Sequence, residues 1–401
     1  MSLALIETTE LGELAEFVRG INFKPDDVVS ESTPGVVACM RTKNVQAELD
    51  QSDVWFVGRQ FVKREEQMLS QGDILISSAN SWNLVGKCCW IPELPWESTF
   101  GGFVTVLRAN RKKAFPRYLY HWFSSPHVQD FARSFGRQTT NISNLDLNRC
   151  LKMPVPLPPL SEQKRIAEIL DQADALRAKR RAALALLDEL TQSIFLDMFG
   201  DPVTNPKGWE MGTIKDLLES ASYGTSEKSE SVGEFPVLRM NNISRTGEMD
   251  FTDLKYMDLK SSEHDRYLVR SGDVLFNRTN SAELVGKTGL FREARKMAYA
   301  GYLIRLRTND ANEPEYLSVF LNSAYAKKML RGMCKSIIGM ANINATEIQC
   351  MRVAMPPNNL QRSFAARVSD VEKLKTVLRN SLAELDQLFA SLQHRAFRGE
   401  L

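Results

Sequence analysis

Residues 72–90 read GDILISSANSWNLVGKCCW, and residues 272–290 read GDVLFNRTNSAELVGKTGL. Gly72, Asp73, Leu75, Asn80, Ser81, Leu84, Val85, Gly86 and Lys87 recur identically at a constant offset. A repeat of this kind fixes the architecture before any single motif is weighed. Working outward, Arg41-x-x-Asn44-Val45 returns as Arg239-x-x-Asn242-Ile243, and Gly102-FVTVLR returns as Gly301-YLIRLR. Pro116-x-Tyr118-Leu119 returns as Pro314-x-Tyr316-Leu317, and Asn141-Ile142 is matched to Asn342-Ile343. Each copy closes on a proline block, VPLPPLSEQKRIA from Val155 and VAMPPNNLQRSFA from Val353, that runs into a long polar-apolar segment. The order is head, helix, head, helix.

Within each head, short β-branched and aromatic runs separated by turn residues predict strands near 73–77, 84–91 and 103–107 in the first copy. A single helix is expected over about 116–135, with proline in its first turn. The expected fold class is therefore α+β. Pro158 and Pro159 cannot continue a helix, whereas Ser161, Glu162 and Gln163 suit a helix start. From there Ile166, Ile169, Ala173, Leu176, Ala183, Leu187, Leu190 and Ile194 fall on alternating steps of three and four, with Arg180 the one polar interruption. Val371, Leu374, Leu378, Leu385, Leu388 and Leu392 keep the same register in the second copy. Two matched heptad seams, each on a helix of roughly 35 residues and 50 Å, predict that the helices pair as an antiparallel coiled coil. The expected division is 1–158, 159–200, 201–357 and 358–401.

A chain of 401 residues suits two domains rather than one core. Its net charge of +2 does not by itself announce a nucleic-acid partner. The opening MSLALIETTE lacks the basic stretch of a secretion signal, and no stretch could span a bilayer, so a cytoplasmic protein with no membrane partner is expected. The six cysteines form no CxxC pair and the four histidines no zinc-ligand spacing, which points to reduced thiols and no metal.

PLPPLSEQKRIAEIL from Pro156, FLDMFGDPVTNPKGW from Phe195 and AFRGEL from Ala396, in this order on a duplicated frame, resemble the specificity subunit of type I restriction-modification systems. The resemblance spans essentially the whole chain. It implies that each head is a target-recognition domain for double-stranded DNA, that the helices are spacers, and that methyltransferase and restriction subunits are the protein partners. One departure is PPNNLQRSF from Pro356, where the family pattern favours Glu-Gln, a basic residue and isoleucine.

DNA reading needs one set of groups for phosphates and another for base edges. For positioning, the candidates are Arg41, Lys43, Asn44 and Lys87 in the first head and Arg239, Asn242, Arg278 and Lys287 in the second. Asn80 and Asn280 join them, although a structural turn also accounts for the recurrence of Asn80, Ser81, Gly86 and Lys87. For adenine or backbone contact, Arg137, Gln138 and Thr139 in the first head and Lys335 in the second stand in polar segments near the end of each head. The loop KNVQAELDQSDVWFVGRQFVKREE from Lys43 is unlike its counterpart after Asn241, which predicts unlike half-sites.

No catalytic constellation is present. Ser281 stands where the first glycine of a phosphate loop before Gly286-Lys287-Thr288 is required. No amino-methyltransferase motif occurs, and Glu65, Glu66 and Asp73 lack a nuclease pattern. No catalytic residue is assigned. S-adenosylmethionine, ATP and Mg²⁺ are expected on partner subunits and no cofactor on this chain. The alternative from another class is a non-catalytic two-domain adaptor that binds proteins alone.

Overall fold

The structure is a computed structural model that describes residues 7–138, 142–281, 283–333, 335–337 and 340–401, with the side chains of residues 137, 138, 335–337 and 340 outside the description. Contacts divide the chain into two units, Met1–Lys179 with Leu382–Leu401, and Arg180–Ser381. Each unit holds one head and half of each long helix.

In the first head an antiparallel sheet runs in the order Ala15–Arg19, Val104–Ala109, Ile74–Ser77, Cys88–Trp90. A second sheet runs Val28–Val29, Trp55–Gly58, Val36–Met40, Ser98–Phe100, its last pair parallel. A ribbon of Arg137–Gln138, Ser143–Asn144 and Ala79–Asn80 and a pair of Thr8–Glu10 with Pro154–Pro156, the latter matched in the second head by Met211–Thr213 with Arg352–Ala354, add to these sheets. The second head repeats the plan, with Leu218–Tyr223, Leu303–Thr308, Val274–Asn277 and Thr288–Leu290 as its antiparallel sheet. Its parallel pair is Phe235–Leu238 with Met297–Tyr299, and its ribbon is Thr279–Asn280, Met340–Asn342 and Lys335–Ile337. The α+β expectation for two similar heads agrees with this.

The recurring residues explain themselves locally. Gly86 and Gly286 hold φ of 84° and 82°, and Gly72 and Gly272 hold 97° and 94°, a region that only glycine enters cheaply. The turn at Gly86 delays the next strand to Cys88, later than the expected start at 84. Asp73 is 3% exposed and takes two hydrogen bonds from Arg108 on the neighbouring strand, at 2.8 and 2.6 Å. Asp273, 1% exposed, takes the same pair from Arg307 at 2.7 and 2.9 Å. This paired use fixes Asp73 as a frame residue rather than a metal ligand.

The single helix expected over 116–135 is two, Pro116–Phe123 and Pro126–Ser134. Pro126 is the cause, because the residue before a proline avoids the helical region; Ser125 is extended, at ψ 141°. In the second head Ser323, at ψ 153°, separates Pro314–Asn322 from Ala324–Met333.

The long helices are Leu160–Phe199, the central helix, and Asn358–Ala396, the C-terminal helix. At 40 and 39 residues they are longer than expected, about 60 Å each. Each start is tied to its head by a buried glutamine. Gln163 accepts the Phe115 amide and donates to the Pro158 carbonyl, both at 2.8 Å. Gln361 accepts the Glu313 amide at 3.0 Å and donates to the Pro356 carbonyl at 2.9 Å. The departure in the second proline block thus keeps the residue that does this work, and Phe364 replaces Ile166 as a buried anchor. At the exit of the central helix the Trp209 indole donates to the Phe199 carbonyl at 2.9 Å, while Asn205 pairs with the Trp209 backbone.

Inside each unit the two half-helices meet through one recurring ionic cluster. In the first unit Arg177 pairs with Asp386 at 2.5 Å and Asp174 at 2.8 Å. In the second Lys375 pairs with Asp188 at 2.5 Å and Glu372 at 3.1 Å. The seam expected from the heptads is displaced by about one residue. Leu176, Leu190, Leu374 and Leu388 are 52%, 42%, 56% and 49% exposed, whereas Leu170, Thr191 and Lys375 are buried and Arg177 half-buried. Ile166, Ala173 and Val371 are buried; Ile169, Leu187, Ile194, Leu378, Leu385 and Leu392 are half-buried. Apolar residues alone could not reveal the displacement, because the inward position next to Leu176 and Leu374 is a cation.

The Asp–Arg pair inside each sheet gives a direct test. Asp273→Asn is expected to destabilise the second head by about 3 kcal/mol, since it leaves a half-buried guanidinium without its carboxylate. Asp73→Asn should do the same to the first. Chemical unfolding of the two variants checks this, and a loss below about 1 kcal/mol in both would remove the pair from the frame.

Candidate nucleic-acid interface

The Arg-x-x-Asn repeat organises a loop. Asn44 and Asn242, fully buried, accept the amides of Arg41 and Arg239 at 2.7 and 2.8 Å. Their amide groups donate to Asp50 and Asp53 carbonyls in one head, and to Asp250 and Asp253 carbonyls in the other, at 2.7 to 3.1 Å. With both ends committed and no exposed surface, neither asparagine can reach DNA; their assignment as positioning residues is corrected. Arg41 and Arg239 bridge to Asp53 and Asp253 at 3.2 and 2.9 Å, and Arg41 also lies over Trp55 at 3.7 Å. Lys43 joins Asp53 at 2.5 Å, and this hydrogen bond, with Arg41 behind it, holds the carboxyl below the usual carboxylate range.

Asn80 and Asn280 accept the amides of Ser81 and Ser281 at 2.8 and 2.9 Å, which supports the structural-turn reading. Lys87 donates to Gln46 at 2.5 Å and Lys287 to the Met240 and Ile243 carbonyls, so each lysine ties the LVGK turn to the loop after Arg-x-x-Asn. Burial, with Arg245 nearby, lowers the Lys287 pKa. From the helix Ala324–Met333, Lys327 reaches the same turn, donating to the Gly286 carbonyl at 2.5 Å, and also donates to Asn322 at 2.9 Å. Burial first, then Arg331 and Lys287, push its pKa down to about 7. The first head places Gln129 there, donating to the Phe123 carbonyl at 2.7 Å.

The ribbons bring the remaining candidates together. Arg137 faces Asn144, Gln138 faces Ser143, and Ser143 faces Asn80. Lys335 faces Asn342, which faces Thr279 beside Asn280. The side chains of Arg137, Gln138 and Lys335, and all of Thr139, lie outside the described residues. The ribbons also correct the repeat register. Leu145 donates to the Ser78 carbonyl and Ile343 to the Arg278 carbonyl, both at 2.9 Å, so Asn144-Leu145 rather than Asn141-Ile142 matches Asn342-Ile343. Two asparagine-apolar pairs three residues apart hid this.

Among the described residues, Cys39, Cys88, Cys89, Cys150 and Cys350 are free thiols, and burial pushes Cys39, Cys89 and Cys150 up to about 12. Among the same residues no group of three His, Cys, Asp or Glu side chains could hold a metal ion, and no helix is long and apolar enough to cross a membrane.

The model of the type I restriction modification DNA specificity domain matches the chain twice, at residues 5–186 and 206–387. The chain belongs to this family. It is 29% identical over 96% of its length to the EcoKI specificity subunit of Escherichia coli K12, covering 86% of that protein. It is 26% identical over 98% of its length to the StySPI specificity subunit of Salmonella potsdam, covering 89%. The fold matches the S subunit of a type I system from M. genitalium at TM-score 0.54, with 12% identity and 98% and 96% of the chains covered. It also matches a chain from a study of complex assembly and conformational transition of the type I R-M system, at TM-score 0.51, 19% identity and 98% coverage of both. The protein is a type I specificity subunit, and its repeated domain is the unit of DNA specificity.

Two measurements test these assignments. Asn242→Ala should cost this specificity subunit about 1–3 kcal/mol of stability, the penalty for orphaned buried partners, measured by denaturant unfolding. A stable variant with weakened DNA binding would instead return Asn242 to the interface. For Lys327, the folded pKa lies below the ordinary lysine value, so the unfolded chain binds more protons between about pH 7 and 10. Stability of the second head should rise with pH across that window, and Lys327→Gln should flatten the rise.

Proposed function

We propose that each head reads one half of an asymmetric, bipartite DNA target. The observation that carries this is a single frame bearing unlike loops: the same Asp–Arg pair, Arg-x-x-Asn loop and LVGK turn recur, while residues 43–66 and their counterpart after Asn241 differ. Sequence is read by groups that differ between sites, and a shared frame presents them at equivalent places.

The two long helices pair as an antiparallel coiled coil that sets the distance between the half-sites. The matched ionic clusters at Arg177 and Lys375 support this pairing, because a cation enclosed among carboxylates specifies register more than it adds stability. The same helices dock methyltransferase subunits. Leu176, Leu190, Leu374 and Leu388 expose apolar surface of the kind a partner covers. The chain itself is non-catalytic in this reading. Methyl transfer with S-adenosylmethionine, and cleavage with ATP and Mg²⁺ where a restriction subunit joins, reside on the partners, in the cytoplasm.

Co-expression with the methyltransferase subunits and mapping of methylated sites tests the proposal. A split, asymmetric motif is expected. Exchanging residues 43–66 for a relative's loop should alter one half-site and leave the other half and the gap unchanged. Lengthening both helices by a heptad, about 10 Å, should widen the gap by about three base pairs at 3.4 Å each. A palindromic or continuous motif, or a loop exchange that alters both halves, overturns the reading.

A further inference from the structure

Several arginines of the heads are committed to a partner within the head: Arg41 and Arg239 to aspartates, Arg108 and Arg307 to aspartates, Arg305 to backbone carbonyls. Arg278 is different. Its guanidinium lies over the Tyr223 ring at 4.9 Å, and among the described residues it makes no ion pair or hydrogen bond, with Nε buried and unpartnered. Tyr223 is 41% exposed and Arg278 half-buried, so the cation lies against an open surface rather than inside a core. The Arg278 amide donates to the Tyr302 carbonyl at 3.0 Å, and the Tyr302 ring is 52% exposed.

In the first head Ser78 occupies the place of Arg278, and its hydroxyl bonds to Thr105 at 3.1 Å. The cation nevertheless returns from the neighbouring strand. Arg19 faces Thr105 in the sheet, as Tyr223 faces Ile304, and is exposed with no side-chain ion pair or hydrogen bond among the described residues. The aromatic returns too. Phe103, at the place of Tyr302, is 65% exposed, and its carbonyl is fixed by the amides of Ser78 and Ala79 at 3.1 and 3.2 Å. One position of the frame therefore presents an uncommitted guanidinium and an exposed ring in both heads, although the arginine comes from different strands.

A contact whose charge is kept while its residue moves is not tied to one base. If the heads read unlike half-sites, what must recur in both is the part of the contact that ignores sequence, which is the phosphodiester backbone. We infer that Arg19 with Phe103, and Arg278 with Tyr302, are matched contacts to the sugar-phosphate backbone of a DNA duplex, which seat each head without reading a base. The guanidinium supplies the phosphate contact, and the ring packs on the adjoining sugar. This rests on the DNA reading proposed above.

The assembled complex with methyltransferase subunits is titrated on target and scrambled duplexes between about 50 and 200 mM salt. The wild-type complex comes first, and absence of salt-dependent binding there would sink the DNA reading itself. Arg19→Gln and Arg278→Gln are each expected to shallow the slope of log affinity against log salt by about 0.9, equally on both duplexes and with an unchanged methylation motif. Arg19→Lys and Arg278→Lys should restore the slope. Phe103→Ala and Tyr302→Ala should lower affinity on both duplexes without altering it. Glutamine variants that keep the wild-type slope, or a motif that changes in either half, overturn this assignment alone.

Discussion

A cation clasped by carboxylates from both helices is the contact on which the rest of each unit depends. Lys375 is 4% exposed and lies between Asp188 and Glu372, and Arg177 occupies the equivalent place between Asp386 and Asp174. Taking such charges from water costs several kcal/mol that the pairing offsets only when the geometry is kept. A slip of the helices by one residue would leave the ammonium of Lys375 enclosed without Asp188. The cluster thus selects one alignment, and that alignment delivers the helix ends to the heads. In the second unit Phe199 meets Tyr316 at 4.8 Å; in the first Phe397 meets Tyr118 at 5.4 Å. The tyrosine hydroxyls in turn donate to the Ala354 and Pro156 carbonyls, in the strand just before each helix begins.

Most of the fold was legible because its recurring residues have conformations or partners that admit few substitutes. Gly86 and Gly286 need positive φ, Asp73 and Asp273 need an arginine across the sheet, and Gln163 and Gln361 fill the helix starts. The seam was less legible because apolar periodicity assumes that the inward face is apolar. At Arg177 and Lys375 it is not, and the neighbouring leucines stand outside. The break at Ser125 was carried by Pro126, a signal available in the sequence but outweighed by the apolar pattern across it. The candidate interface was the hardest to read. Recurrence marks what the frame cannot lose, and the most conspicuous recurring polar residues, Asn44 and Asn242, proved to be buried loop anchors.

Arg19 has no counterpart of its own type in the repeat, since Tyr223 aligns with it, and no alignment of the two halves could single it out. Only the sheet register shows that it and Arg278 converge on one place of the frame. Function here is kept by position rather than by identity, which sequence comparison within the chain does not detect.

The division of labour within a head follows from how its polar groups are satisfied. Groups that close the loops and turns find partners inside the head, so the backbone that carries the variable residues is held by contacts that need no ligand, which lowers what binding must supply to order it. The exposed side chains of the loop at 43–66 can then change while Asn44 keeps its contacts to the Arg41 amide and the Asp53 carbonyl. Charge left uncommitted at the rim has a different value: it serves sequence-independent attraction, and its strength depends on salt rather than on target. A frame that closes its loops and turns with its own polar groups can change what it reads while keeping how it holds on.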